Sequence, residues 1–295
     1  MRLSEVHPLL DPTPMPLEVG YERLSDGVLH VANRTDMQDC TGEMFEWWFR
    51  FRPDTQQYIW WHPVDHISSH WTEVQQGTHI GSIHVALEEF TGFPAEERSI
   101  QFRDPTEFFD AKAYRAARES GAVSAAVCAH SGYSHNPKRN KDGKVLGGRL
   151  LHIGRDTPWG LALRSHFYVG QDLAGTITPT EMEQRFPDPF GQALLQHCYN
   201  EFTFLSHFLP SLFIAENRKT VKIATPWQLR RNSTERFFSS YILPNIKIET
   251  VAQPVSRRQN AIRFAQIRTL SGDRSGFLLR IQRRGCDTQY YCFDR

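Results

Sequence analysis

His197 and Glu201 are the residues from which a chemical reading starts. They are four apart, so a helix places them on one face. Phe190, Leu194, Leu205 and Phe208 fall on the same face at steps of three and four. That stripe should meet the core, where an unpaired imidazole and carboxylate are costly to bury. They therefore need partners. A metal ion would satisfy both; a wet cleft, or a His–Glu hydrogen bond without metal, is the competing reading.

Three further stretches carry suitable donors. In Ser82-Ile-His-Val-Ala-Leu-Glu-Glu-Phe-Thr-Gly92, strand alternation puts Ile83, Val85, Leu87 and Glu89 on one side and His84, Ala86 and Glu88 on the other. Glu89 thus ends an apolar row and points inward, unless a twist or bulge exposes it. Tyr58-Ile-Trp-Trp-His-Pro-Val-Asp-His66 holds two histidines four apart among aromatics. His152 alternates with Leu150 in an expected strand, where a hydrogen-bonded core histidine is the bland alternative. With His66 from the second stretch, His66, Glu89, His197 and Glu201 offer two nitrogens and two carboxylates. That set suits zinc with an open position, and iron(II) or manganese would also accept it.

Other chemistries lack their motifs. The chain has no GxSxG elbow, GxxxxGK[ST] loop, HExxH pair or helix-opening GxGxxG. Cys198 adjoins His197, but adjacent helical residues diverge, which argues against a nucleophile pair.

The elements that would position these groups are an array of strands and one long helix. Strands are expected at Val28–Ala32, Phe45–Phe51, Tyr58–Trp61, Thr78–Phe90, Ser99–Phe102, Ser124–His130, Arg149–Ile153 and Leu161–Val169. Gly132–Gly148 reads as a loop. The helix starts at Asp188 and Pro189 and is expected to end near Pro210. The fold class is α+β, a curved antiparallel sheet closed by that helix.

Length and charge bound the rest. The chain has 295 residues, 40% hydrophobic, and a formal net charge of +1. Residues 1–215 hold 18 Lys+Arg against 27 Asp+Glu (18 − 27 = −9), and residues 216–295 hold 16 against 6 (16 − 6 = +10). The chain is read as an extended lead-in over 1–20, a catalytic domain over 21–215 and a basic extension over 216–295. No secretory pattern or membrane span is evident, and five scattered cysteines read as reduced thiols, which places the protein in the cytoplasm. Arg-rich patches without a binding module make nucleic acid an improbable partner.

Five blocks together give a resemblance. They are Glu43-Met-Phe-Glu-Trp-Trp-Phe49, the Tyr58–His66 block, Glu89-Phe-Thr-Gly92, Leu163-Arg-Ser-His-Phe-Tyr-Val-Gly170, and His197-Cys-Tyr-Asn-Glu201 running into Phe208-Leu-Pro210. In this order, over about residues 20–215, they resemble the 2,4-diacetylphloroglucinol hydrolase family, which includes phloretin hydrolase. The resemblance implies a START-like helix-grip fold and a zinc-dependent hydrolysis of the carbon–carbon bond between an acyl group and a phenolic ring. It implies His66, Glu89, His197 and Glu201 as metal ligands, His66 being preferred to His62 because the family's ligand ends that block. Tyr58 and His152 would contact substrate oxygens as catalytic residues. Tyr168 would be a further contact, although its alternation with Arg164 and His166 puts it on an outward face. The implied partners are a small phenolic ketone and a second copy of the chain in a homodimer; no membrane is implied. The family's helical N-terminal part, linked to dimer formation, is mostly absent before Tyr58, and the basic extension has no family counterpart. A non-catalytic helix-grip binder of a phenolic ligand and a metal-dependent polyketide-tailoring enzyme are the alternatives.

Overall fold

The computed structural model describes residues 1–217 and three later strand segments. The chain divides into two units, Met1–Ile223 and Ala224–Arg295. The first is built on eight strands: β1 (Gly20–Arg23), β2 (Leu29–Gln38), β3 (His66–Thr72), β4 (Ile83–Glu88), β5 (Glu96–Arg103), β6 (Ala125–Tyr133), β7 (Gly148–Thr157) and β8 (Gly160–Val169). They form one antiparallel sheet in the order β1-β2-β8-β7-β6-β5-β4-β3. Five helices accompany it: α1 (Gly42–Phe51), α2 (Thr55–Trp61), α3 (Ala111–Ser120), α4 (Pro179–Arg185) and α5 (Asp188–Asn217). The class is thus α+β, with a curved sheet and a long helix against it, as expected. In the second unit, β9 (Arg268–Thr269), β10 (Gly276–Ile281) and β11 (Gln289–Asp294) pair antiparallel in the order β11-β10-β9. Apart from Glu216 and Asn217 at the end of α5 and these three strands, the 216–295 extension lies outside the described residues.

Both faces of the sheet are covered. One carries α5, with Phe190 and Leu194 packed among Leu29, Val31 and Val169. The other carries the chain's first residues and α3, with Val6, Leu9, Leu10, Phe109 and Ala117 over Cys128, Leu151 and Tyr168. Residues 1–20 are therefore more than an extended lead-in: they hold short 3-10 turns at Leu3–Glu5 and His7–Leu10.

Two expected strands are helices. Phe45–Phe51 and Tyr58–Trp61 are rich in β-favouring aromatics, yet they form α1 and α2. The first has an N-cap in Thr41, whose hydroxyl accepts from the Met44 N–H. The second has a capping box between Asp54 and Gln57. Phe45, Trp48 and Phe49 are buried at helical spacing, so packing decides against intrinsic preference.

The long helix also runs past Pro210 to Asn217. Proline there lacks the N–H that would bond the Ser206 carbonyl. The Cys40 thiol takes that carbonyl instead, at 3.9 Å. Buried Leu212, Phe213 and Ala215 reward the extra turns. Among the described residues, Cys40, Cys128 and Cys198 are free thiols. None of the described helices is long and apolar enough to cross a membrane.

Burial on both faces leaves several histidines without solvent. It pushes His79 down to about 4, and His84, His152 and His166 to about 3. These four are neutral when folded and protonated when unfolded between about pH 4 and 6.5, so the unfolded state binds more protons and stability is lost as pH falls. Four protons correspond to a slope of about 5 kcal/mol per pH unit, against a total stability of 5–15 kcal/mol. An acid titration followed by circular dichroism should therefore unfold the domain between about pH 4 and 6. A chain still folded at pH 3.5 would contradict these assignments.

Candidate metal centre and active site

His66, His197 and Glu201 converge between α5 and the start of β3. The Nε2 atoms of both histidines lie 3.9 Å from Glu201 Oε2. All three residues are buried, and their ligand atoms lie within 4.8 Å of one another.

Each imidazole is held from behind. His66 Nδ1 lies 2.8 Å from the Tyr58 carbonyl, at the end of α2. A carbonyl only accepts, so Nδ1 carries the proton and Nε2 keeps its lone pair. That Nε2 is buried with no hydrogen-bond partner. The Tyr58 ring stacks on His66 at 3.7 Å. His197 Nδ1 donates to Asp65 Oδ2 at 2.9 Å, which likewise frees Nε2. Asp65 also faces His62, whose Nδ1 accepts the Asp65 backbone N–H and whose Nε2 is 3.5 Å from Asp65 Oδ2. His62, Asp65 and His197 form a second cluster of possible ligands. Because Asp65 already holds His197 Nδ1, it can orient that imidazole from behind.

The donor set fits a divalent cation. Glu201 is pushed well above the usual carboxylate range by burial and by the charges of Glu88 and Asp65. Burial and the neighbouring His197 hold His66 well below its usual value, so it stays a neutral lone-pair donor. A buried carboxylate beside two imidazole nitrogens offers the donor types that a divalent cation takes. Replacing Asp65 by asparagine should lower divalent-metal affinity about 10–100-fold. Competitive chelator titration checks this; unchanged affinity would mean that Asp65 orients nothing.

Of the two carboxylates at the end of β4, Glu88 lines the cavity. Its backbone pairs with His66 across β3 and β4. Glu88 Oε1 accepts the Tyr58 hydroxyl at 2.6 Å, and Oε2 lies 3.1 Å from Arg98 Nε. Glu89 is exposed, with its backbone N–H on the Asp65 carbonyl at 2.9 Å. The expected parity is thus inverted. Ile83 and Val85 pack against Val145 on the other side of the sheet, so the apolar row is not the cavity row. His84 and Glu88 line the cavity instead.

A cavity open in part to solvent lies beside this cluster. Tyr58, His152, His197, Glu201 and several aromatics line it. His152 Nδ1 is 2.8 Å from the Ser165 hydroxyl, and its ring contacts Phe45 and Phe202. With burial holding it near 3, it is a neutral hydrogen-bonding group and not an imidazolium acid. Tyr58 is raised well above its ordinary value by burial and Glu88, so it remains a phenol. The Tyr168 segment borders the cavity, but its ring belongs to the opposite core and stacks on His30 at 4.9 Å. Burial pushes the Cys198 thiol well up, which leaves it unreactive. Asp65 and Arg98 were not singled out by the sequence. Asp65 had a signal, a carboxylate beside a candidate ligand histidine; Arg98 had none.

Comparison with known proteins follows the same direction. The family model described as the DAPG hydrolase PhiG domain matches residues 1–214. A 2,4-diacetylphloroglucinol hydrolase from Pseudomonas protegens is 25% identical over 232 residues, covering 72% of this chain and 72% of its own. One from Pseudomonas sp is also 25% identical over 232 residues, covering 72% of this chain and 76% of its own. A phloretin hydrolase from Eubacterium ramulus is 24% identical over 214 residues, covering 67% and 72%.

Proposed function

The chain belongs to the DAPG hydrolase family, and on that footing we propose that it is a zinc-dependent hydrolase of acylphloroglucinol-type aryl ketones. It cleaves the carbon–carbon bond between the acyl group and the ring. The observation that carries this reading is the buried convergence of two free imidazole nitrogens on the Glu201 carboxylate. His66, His197 and Glu201 would hold the ion, with Glu88 in place of Glu89 as the second carboxylate. When bound, the ion supplies Lewis acidity and lets water ionise near neutral pH.

The chain's own residues do the rest. The aromatic lining of the cavity receives a flat ring and keeps bulk water out. His152, fixed by Ser165, presents its other nitrogen to a phenolic or carbonyl oxygen. The Tyr58 hydroxyl stands beside the same space and is oriented by Glu88. Overall, water adds to the acyl carbon, the carbon–carbon bond breaks, and the ring carbon takes a proton. The products are a carboxylic acid and the deacylated phenol. In this reading the fold is of the START-like helix-grip type, and the protein works as a homodimer in the cytoplasm.

Incubation with 2,4-diacetylphloroglucinol tests the proposal, with proton NMR following acetate. Stoichiometric acetate release supports it. Tight binding of the intact ketone without cleavage would favour a binding protein instead.

A further inference from the structure

Two cationic side chains border the cavity, Arg98 and Arg149. Arg149 is fully engaged. Its Nη1 and Nη2 meet the two Asp172 oxygens at 2.6 and 2.7 Å, and Nη1 also donates to the Gly148 carbonyl. Arg98 is held differently. Its guanidinium carbon lies 4.4 Å from the Phe90 ring centre, 5.6 Å from Phe190 and 5.7 Å from Tyr133. Its Nε is 3.1 Å from Glu88 Oε2, and its Nη2 is 3.3 Å from Glu96 Oε2. Neither carboxylate answers it fully. Glu88 also takes the Tyr58 hydroxyl, and the Glu96 side chain is 47% exposed, where an ion pair is weak. A guanidinium with five donors is thus set in an aromatic wall, its Nε and Nη2 facing carboxylates and its Nη1 facing neither.

We propose that Arg98 binds the ionised ring oxygen of the substrate and thereby selects ketones with a free hydroxyl beside the acyl group. This rests on the acylphenol reading above. An acyl group withdraws electrons and acidifies hydroxyls ortho and para to it. In the keto tautomer, the ring carbon already holds the proton that it keeps in the product. As water adds to the acyl carbon and the carbon–carbon bond breaks, the bond's electron pair passes into the ring. It settles on the oxygen ortho or para to that carbon; water's oxygen and one hydrogen stay in the carboxylic acid, its other hydrogen leaves to solvent as a proton, and the ring leaves as a phenolate. A fixed guanidinium beside this oxygen stabilises charge where it develops, in a cavity lined largely by aromatic side chains. Its planar fork suits an oxyanion better than an ammonium does.

Calorimetric binding of 2,4,6-trihydroxyacetophenone and its trimethyl ether tests this in the wild type, Arg98→Lys and Arg98→Met. The wild type should prefer the hydroxylated ketone at least about tenfold, in line with a charge-assisted contact. Arg98→Met should bring the two ligands within about threefold, with Arg98→Lys between. If Arg98 did no more than hold Glu88, both ligands would weaken together and their ratio would stay. An unchanged ratio in Arg98→Met, or no preference in the wild type, overturns the proposal. Should Arg98→Met fail to fold, an unchanged ratio in Arg98→Lys overturns it as well. Binding needs no turnover, so an Arg98-dependent preference without acetate release would sink the hydrolase reading alone.

Discussion

Replacing His197 or Glu201 by alanine is expected to remove the bound metal and to lower turnover at least about 10³-fold, or ~4 kcal/mol. Both side chains lie on the buried face of α5, one helical turn apart. Glu201 Oε2 is 3.9 Å from each imidazole Nε2, so removing either side chain takes one donor from the cluster. His197→Ala also leaves Asp65 without the ring it orients. Tyr199 is the control, because its side chain is 49% exposed on the same helix. Tyr199→Ala should retain both metal and turnover. Loss of turnover in all three variants would indicate damage to the helix and not to a site.

The second large effect separates two adjacent carboxylates. Glu88→Gln should lower turnover at least about 10²-fold, the scale seen when a group beside the reacting charge is removed. It should also destabilise the domain by about 3–5 kcal/mol at most, because it breaks a buried ion pair with Arg98. Glu89→Gln alters an exposed side chain and should change stability by no more than about 0.5 kcal/mol. Its turnover should stay within about twofold, as for a surface change remote from the chemistry. Steady-state assays and urea unfolding of the two variants read both quantities. A silent Glu88→Gln with an inactive Glu89→Gln would reverse the assignment of the strand carboxylate.

Alternation shows which residues share a side of a strand, but not which side meets the cavity. Here both sides are buried, because Val145 covers Ile83 and Val85 from the far side. The apolar row was therefore no guide to the cavity. By contrast, His197 and Glu201 were legible because a helical stripe of apolar residues has one buried face, and polar groups on it stand out.

The helices α1 and α2 were misread for a related reason. Trp47, Trp48, Trp60 and Trp61 argue for strands by preference, while Thr41, Asp54 and Gln57 argue for caps. The caps and the three- and four-residue spacing of buried rings prevailed. Pro210 is a helix-end signal, but Cys40 supplies a partner for the freed carbonyl from a distant segment. Arg98 had no local signature, since its role depends on Phe90, Tyr133 and Phe190 gathering around it. Such long-range assemblies are invisible in spacing alone. The outward reading of Tyr168 from its alternation with Arg164 and His166 matches the side of the sheet on which its ring lies.

The metal centre proposed at His66, His197 and Glu201 is open to direct measurement. Elemental analysis of the purified wild-type chain tests it most directly. The prediction is one divalent ion per chain, zinc in the reading proposed here, retained through gel filtration. Protein that refolds fully, binds the ketone and carries no stoichiometric metal after incubation with zinc, iron(II) or manganese would contradict it.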